Sequence, residues 1–331
     1  MTSRRALLAM AALLWLVAGW AYARALEIKD IVLTVADLDR SVAFYENALQ
    51  FKKVSERLIA GSDFDRATGV FGTRVRSASL RLGSESIELQ QYLSPAGQPI
   101  PADSRANDLW FQHFAIVVSD MDRAYEHLRR VPFQAISSAP QTIPESNAAA
   151  AGIKAFKFKD PDGHPLELLY FPPGKGNPKW QGADGLFLGI DHSAITVAST
   201  ERSLEFYRDL LGLKVAGASL NTGTTQEHLD GAFGAVVRVT GLRPESAQGP
   251  GLEFLQYLTP SGGRPAPALH PNDIAHVRVV LQVDNLERLV DELSSRSGTF
   301  VSPQVVSMAG APFAKCLLVK DPDGHVVMLV E

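Results

Sequence analysis

The chain repeats itself, and that constrains its fold more than any composition does. LTVADLDRSVAFYENALQF at 33–51 is answered by ITVASTERSLEFYRDLLGL at 195–213, so that Phe44-Tyr45 falls on Phe206-Tyr207. IELQQYLSPAG (87–97) is matched by LEFLQYLTPSG (252–262), the Asn-Asp pair at 107–108 by that at 272–273, and KDPDGHPLELLYF (159–171) by KDPDGHVVMLVE (320–331). Whatever one half folds into, the other must fold into as well. Between them PPGKGNPKWQGADG has Pro and Gly but no apolar periodicity, which predicts a linker at 172–186 and domains at 26–171 and 187–331.

Each half carries a second, shorter period: an apolar strand, a helix, then further strands, twice over. IVLTV leads into a helix near Leu38–Leu49 and FAIVV into one near Met121–Arg129; ITV leads into Leu204–Leu211 and VVLQV into Leu286–Leu293. The unit is βαβββ, used four times, with Asp160-Pro161-Asp162-Gly163 making a tight reversal before a final strand. Sheets covered on one side by a helix give an α+β architecture.

The N-terminus reads differently. MTSRR precedes the apolar run ALLAMAALLWLVAGWAYA, which ends in the small-x-small pattern Ala21-Tyr22-Ala23. Residues 1–25 therefore predict an export signal, with Ser3-Arg4-Arg5 resembling the twin-arginine type, or alternatively an uncleaved anchor. Either places the protein in, or facing, the periplasm. With a net charge of −4 and no Lys/Arg run, nucleic-acid binding is not expected. Cys316 stands alone, so an internal disulfide and a Cys₂ zinc site are both excluded.

Four βαβββ units, the opening T-V-x-D-L-D-x-S-x-x-F-Y and the closing D-P-D-G-H-x-L-E-L resemble the vicinal oxygen chelate superfamily of glyoxalase I, extradiol dioxygenases and bleomycin resistance proteins. The resemblance implies two tandem half-barrel cups, with metal ligands on the first and last strands of each module. In the first domain it implies Asp30, Glu88, His113 and Glu167 as ligands, with Glu88 or Glu167 as the catalytic base. In the second it implies His192, Glu253 and Arg278 or His276, with Met328 at the place of Glu167. Arg278 falls on His113 in the repeat, and neither Arg nor Met suits a hard divalent ion. His164 and His325, in Asp-Pro-Asp-Gly-His, read as turn residues.

Strand parity supports a polar cup: Glu88, Gln90 and Tyr92 share one face, His113 lies with Ala115 and Val117, and Glu167 with Leu169 and Phe171. The expectation is one divalent ion (iron, nickel, zinc or manganese) in the first domain. It would serve a glyoxalase-like lyase or isomerase acting on a small substrate with vicinal oxygens. An extradiol-type iron dioxygenase is the alternative, although Asp30 departs from the two-His set that enzyme type needs; a metal-free periplasmic binding protein is the third reading. No membrane contact is expected beyond the N-terminal segment.

Overall fold

The computed structural model describes residues 24–246, 248–265 and 269–331. The export or anchor segment expected at 1–25 lies almost wholly outside the described residues. No helix among the described residues is long and apolar enough to cross a membrane.

Four modules follow one another. The first comprises β1 (Ala25–Thr34), α1 (Leu38–Leu49), β2 (Lys52–Ala60), α2 (Ser62–Thr68), β3 (Arg74–Leu82) and β4 (Glu85–Ser94). The second comprises β5 (Phe111–Val118), α3 (Met121–Leu128), the short β6 (Gln134–Ala135) and β7 (Gln141–Thr142), then β8 (Lys154–Lys159) and β9 (Pro165–Tyr170). The third repeats the first: β10 (Phe187–Thr196), α4 (Thr200–Tyr207), β11 (Lys214–Thr222), α5 (Thr224–Asp230), β12 (Val236–Arg243) and β13 (Gly251–Thr259). The fourth repeats the second: β14 (Val277–Val283), α6 (Leu286–Ser295), β15 (Thr299–Phe300), β16 (Val306–Ser307), β17 (Lys315–Lys320) and β18 (Val326–Val330). The α+β class and the repeated modules are as the sequence predicts; α2 and α5, each a short helix between glycines, have no counterpart in that prediction.

The four longer helices start where their capping residues put them. Asp37, Asp120, Ser199 and Asn285 each accept a hydrogen bond from the backbone N–H three residues on. The helices cover two apolar cores that largely follow the halves of the chain. One joins Ile31, Tyr45 and Leu49 to Phe114, Phe156 and Leu168; the other joins Tyr207, Leu211 and Phe254 to Leu281, Leu317 and Leu329. The Phe-Tyr motif and the DPDGH turn meet here: Tyr45 Oη donates to Asp160 Oδ2 (3.0 Å), and Tyr207 Oη to Asp321 Oδ2 (3.2 Å). His164 and His325 also bond those aspartates, at 2.9 and 2.8 Å, which gives both turn histidines a structural place.

The sheets do not follow the halves. One nine-stranded sheet runs β15-β17-β18-β14-β1-β4-β3-β2, the other β11-β12-β13-β10-β5-β9-β8-β6, with β16 and β7 off each path. The first module is thus hydrogen-bonded to the fourth through β1 and β14, and the second to the third through β5 and β10. Interlocked loops hold these pairings. Asn272 donates to Pro95 O and Ala96 O (3.3 Å each), and Asn107 to Pro260 O (3.2 Å). Gly97 and Gly263 lie so close to the carbonyls of Asn272 and Asn107 that a Cβ would stand 1.9 and 1.6 Å from the oxygens. Any side chain there would push the loops apart.

Candidate metal centre

Because each cup crosses the halves, the residues expected in one domain are separated. Asp30, Glu88, Arg278, His276 and Met328 belong to one sheet region; His113, Glu167, His192 and Glu253 belong to the other. The expected set Asp30, Glu88, His113 and Glu167 therefore does not converge. The physical reason is how the modules pair: β1 bonds β14 and β10 bonds β5 in the middle of each sheet, so each of these strands has a neighbour from the other half.

In the second sheet the four groups do meet. His113 Nε2 lies 3.3 Å from His192 Nε2 and 3.1 Å from Glu167 Oε2. His192 Nε2 lies 3.5 Å from Glu253 Oε2. His113, Glu167 and His192 offer ligand atoms all within 4.8 Å of one another, a group able to hold a metal ion. Small neighbours make the room: Ala115 pairs with both His192 and Glu167, and Ala194 pairs with both His113 and Glu253.

Two β-bulges aim the imidazoles. The β5–β10 register slips between Ile190 and His192, leaving Asp191 extra, and again between Ala194 and Ile195, leaving Gln112 extra. Each extra residue precedes a histidine and takes up its Nδ1: Asp191 Oδ2 accepts from His192 at 3.0 Å, and Gln112 Oε1 is hydrogen-bonded to His113 Nδ1. Nδ1–H donation at both rings leaves Nε2 to offer its lone pair to the shared centre. Asp191 is itself held by Trp180 Nε1 and Arg243 Nη2, both at 3.0 Å. Sequence reasoning passed over Asp191 and Gln112; their signal was a polar residue directly before each histidine in an otherwise apolar strand.

Behind the centre runs a buried polar chain. Gln112 Nε2 donates to Tyr257 Oη (3.3 Å), which donates to Asp230 Oδ2 (2.7 Å). Lys157 Nζ reaches Asp230 Oδ1 at 2.7 Å, and Lys157 stands opposite Glu167 in the β8–β9 register. Burial raises the Glu167 carboxyl, but His113 and Lys157 outweigh it and hold the pKa near 2. Burial takes His113 down to about 4. At His192 burial also opposes charge, yet Glu253 and Asp191 lift the pKa to about 9. Glu253 is raised by burial, against the pull of His192. A cavity of about 250 Å³ opens onto Asp191, His192 and Glu253, walled by Ala216, Ala218 and Gly241.

The other cup occupies the same register with different chemistry. Asp30 pairs with Val280 as His192 pairs with Ala115, and Val32 with Arg278 as Ala194 with His113. Met328 pairs with Val280 as Glu167 with Ala115, and Val32 with Glu88 as Ala194 with Glu253. His276 lies off these positions, at the entry to β14, and its ring makes no hydrogen bond; Arg278 holds the ligand position, as the repeat implied. Glu88 is turned to protein partners: Arg57 Nη2 at 3.2 Å, Gln90 Nε2 at 2.8 Å and the Ser77 hydroxyl. Burial, reinforced by Glu88, lifts Asp30 to about 8.

Four copies of a strand-rich module, with histidines and carboxylates gathered where the second and third meet, define a repeated α+β fold with a metal-capable centre. The chain belongs to the Glyoxalase/Bleomycin resistance protein/Dioxygenase superfamily, whose family model matches residues 27–168 and 189–329. It is 33% identical over 157 residues to a 2-epi-5-epi-valiolone epimerase from an Actinomyces species, an alignment covering 45% of this chain and 82% of that protein. Its structure is similar to that of glyoxalase I from Zea mays (TM-score 0.62, 18% identity, 92% of each chain covered). It is also similar to that of a proposed dioxygenase from Bacillus subtilis (TM-score 0.57, 14% identity, 93% of this chain and 85% of that one).

Proposed function

We propose that this protein is a metal-dependent isomerase, of epimerase type, that acts on a small substrate with vicinal oxygens in the cup formed by the second and third modules. The observation that carries this reading is the cluster His113, Glu167 and His192, with Glu253 adjoining and both Nδ1 atoms taken up by Gln112 and Asp191. Two imidazoles and two carboxylates suit iron, nickel, zinc or manganese. A bound ion would supply Lewis-acid polarisation of the substrate oxygens. Glu253 borders the cavity while Glu167 is buried behind it. Glu253 is therefore the group placed to take a proton from a carbon beside a carbonyl; the proton that reaches the opposite face would come from solvent or a donor on that side. His113, and after it Lys157, keep Glu167 ionised, and Asp191 and Gln112 hold the imidazoles in position.

The similarity to the epimerase makes 2-epi-5-epi-valiolone the first compound to test. In deuterated water, proton NMR should show loss of a substrate C–H signal with wild-type protein and metal, and none with Glu253→Gln. A purified protein with no more metal than a blank, and no exchange after metal is added, would overturn the reading. The extradiol reading is favoured by one observation: His113, His192 and Glu167 are two imidazoles and a carboxylate. Oxygen uptake with a catechol on the iron-loaded protein would select it. Residues 1–25 support a site of action outside the cytoplasm, which fractionation of the full chain would test.

A further inference from the structure

A cavity of about 470 Å³ lies where the loop before β5 meets the end of α5 and the start of β14. It shares no lining residue with the smaller cavity at His192 and Glu253. Trp110, Phe111, Ile136, Pro260 and Val277 form an apolar part of its wall. Trp110, Phe111, Ile136 and Val277 are each only partly buried, so this wall borders open space as well as protein. The volume suits a small organic molecule.

The acids in the wall are answered. Asp230 is held by Lys157 Nζ at 2.7 Å and Asp108 by Arg264 Nη2 at 2.6 Å, while His164 is matched by Asp160 Oδ2 at 2.9 Å. Two cations of the wall are not. Lys159, half-buried at the end of β8, has its Nζ 3.4 Å from Ser104 Oγ, and burial lowers its pKa with no carboxylate acting against it. Arg105, exposed at the rim, makes no ion pair among the described residues. A half-buried ammonium without a counter-charge is costly until an anion meets it. The opening is not a demand of the repeat: Lys320, Gly324 and His325 stand at the places of Lys159, Gly163 and His164, yet they border a space of only about 40 Å³.

We propose that this cavity is a binding site for a small organic acid with a ring-sized apolar body, its carboxylate at Lys159 with Arg105 at the rim, and its ring against Trp110, Phe111 and Ile136. Gln112 lines the same cavity and is hydrogen-bonded to His113 Nδ1, so the bound acid would lie one side chain from the metal centre without touching the ion.

The probe is naphthoate, titrated calorimetrically into the full chain. Metal-loaded and chelator-treated protein should bind it equally well. Lys159→Met should weaken binding about tenfold or more, and the uncharged naphthalenemethanol should bind wild type weaker by a similar factor. Ile136→Trp, which fills the cavity, should abolish binding. No binding in wild type, equal affinity in Lys159→Met, or equal affinity for the uncharged analogue would overturn the proposal. So would binding that disappears with the metal, which would put the anion on the ion instead. Should Lys159→Met fail to fold, Ile136→Trp decides: unchanged affinity for naphthoate overturns the site.

Discussion

His113 and His192 stand with their Nε2 atoms 3.3 Å apart, although 79 residues and a repeat boundary separate them. They meet because β5 and β10 are antiparallel neighbours at the centre of one sheet. Two neutral rings presenting lone pairs at that distance repel; a shared cation between them, or a proton on one, removes the repulsion.

Equivalent carboxylates should therefore differ in effect. Glu253→Gln should weaken metal binding by about tenfold or more, while Glu88→Gln, at the matching register in the other cup, should leave it unchanged. Competition against a chromogenic chelator measures both. Equal losses would contradict the assignment of the ion to the second and third modules.

Asp191 touches the centre only through His192 Nδ1, at 3.0 Å. Asp191→Asn should lower metal affinity by about 10–100-fold, the usual cost of losing such a partner, without changing the far-ultraviolet circular dichroism.

Residues 24–171 contain the first and second modules but neither β10 nor β14. Expressed alone, this half should expose the inner edges of β1 and β5 and self-associate. It should also bind no metal at the level of the full chain, because His192 and Glu253 are absent. Size-exclusion chromatography with metal analysis checks both outcomes.

Asp30 supplies a pH dependence. Its carboxyl is raised from 3.8 to about 8 in the folded chain, by burial and then by Glu88. The unfolded chain releases this proton near the ordinary value and the folded chain holds it, so folding is favoured less as pH rises from about 4 to about 8. Asp30→Asn should accordingly raise the unfolding midpoint more at about pH 8 than at about pH 5.

The pair Lys157–Asp230 is nearly sealed from solvent, at 3% and 0% exposure of the two side chains. Lys157→Met leaves Asp230 with Tyr257 and Gln226 but no cation, and should cost about 3–5 kcal/mol in urea unfolding. Adding Asp230→Asn should recover part of that loss.

Much of this was legible in the sequence. The helix read at Leu38–Leu49 is there with those bounds, and the repeat correctly aligned Arg278 with His113 and Met328 with Glu167. Every position that lines the two cups' ligand sites was singled out. The grouping was not: the positions were sorted by nearness along the chain, which put Asp30 and Glu88 with His113 and Glu167. A clue was present in the paired motifs around Gly97 and Asn272, and around Gly263 and Asn107, whose interlocking ties the first module to the fourth and the third to the second. The bulges that release Asp191 and Gln112 had no comparable signal, because strand register depends on the partner strand.

The sequence by itself determined the modules, the presence of the four longer helices, the closing turns and the identity of each side chain at a ligand position, since these rest on local periodicity, capping and the repeat; it missed α2 and α5 and set α4 four residues too late. Only the tertiary structure decided which modules share a sheet. β1 and β10 each have a free edge that a partner from either half could satisfy with the same backbone hydrogen bonds, so local pattern is indifferent to the choice. That choice turned two mixed ligand sets into one of two histidines and two glutamates and one built around Arg278.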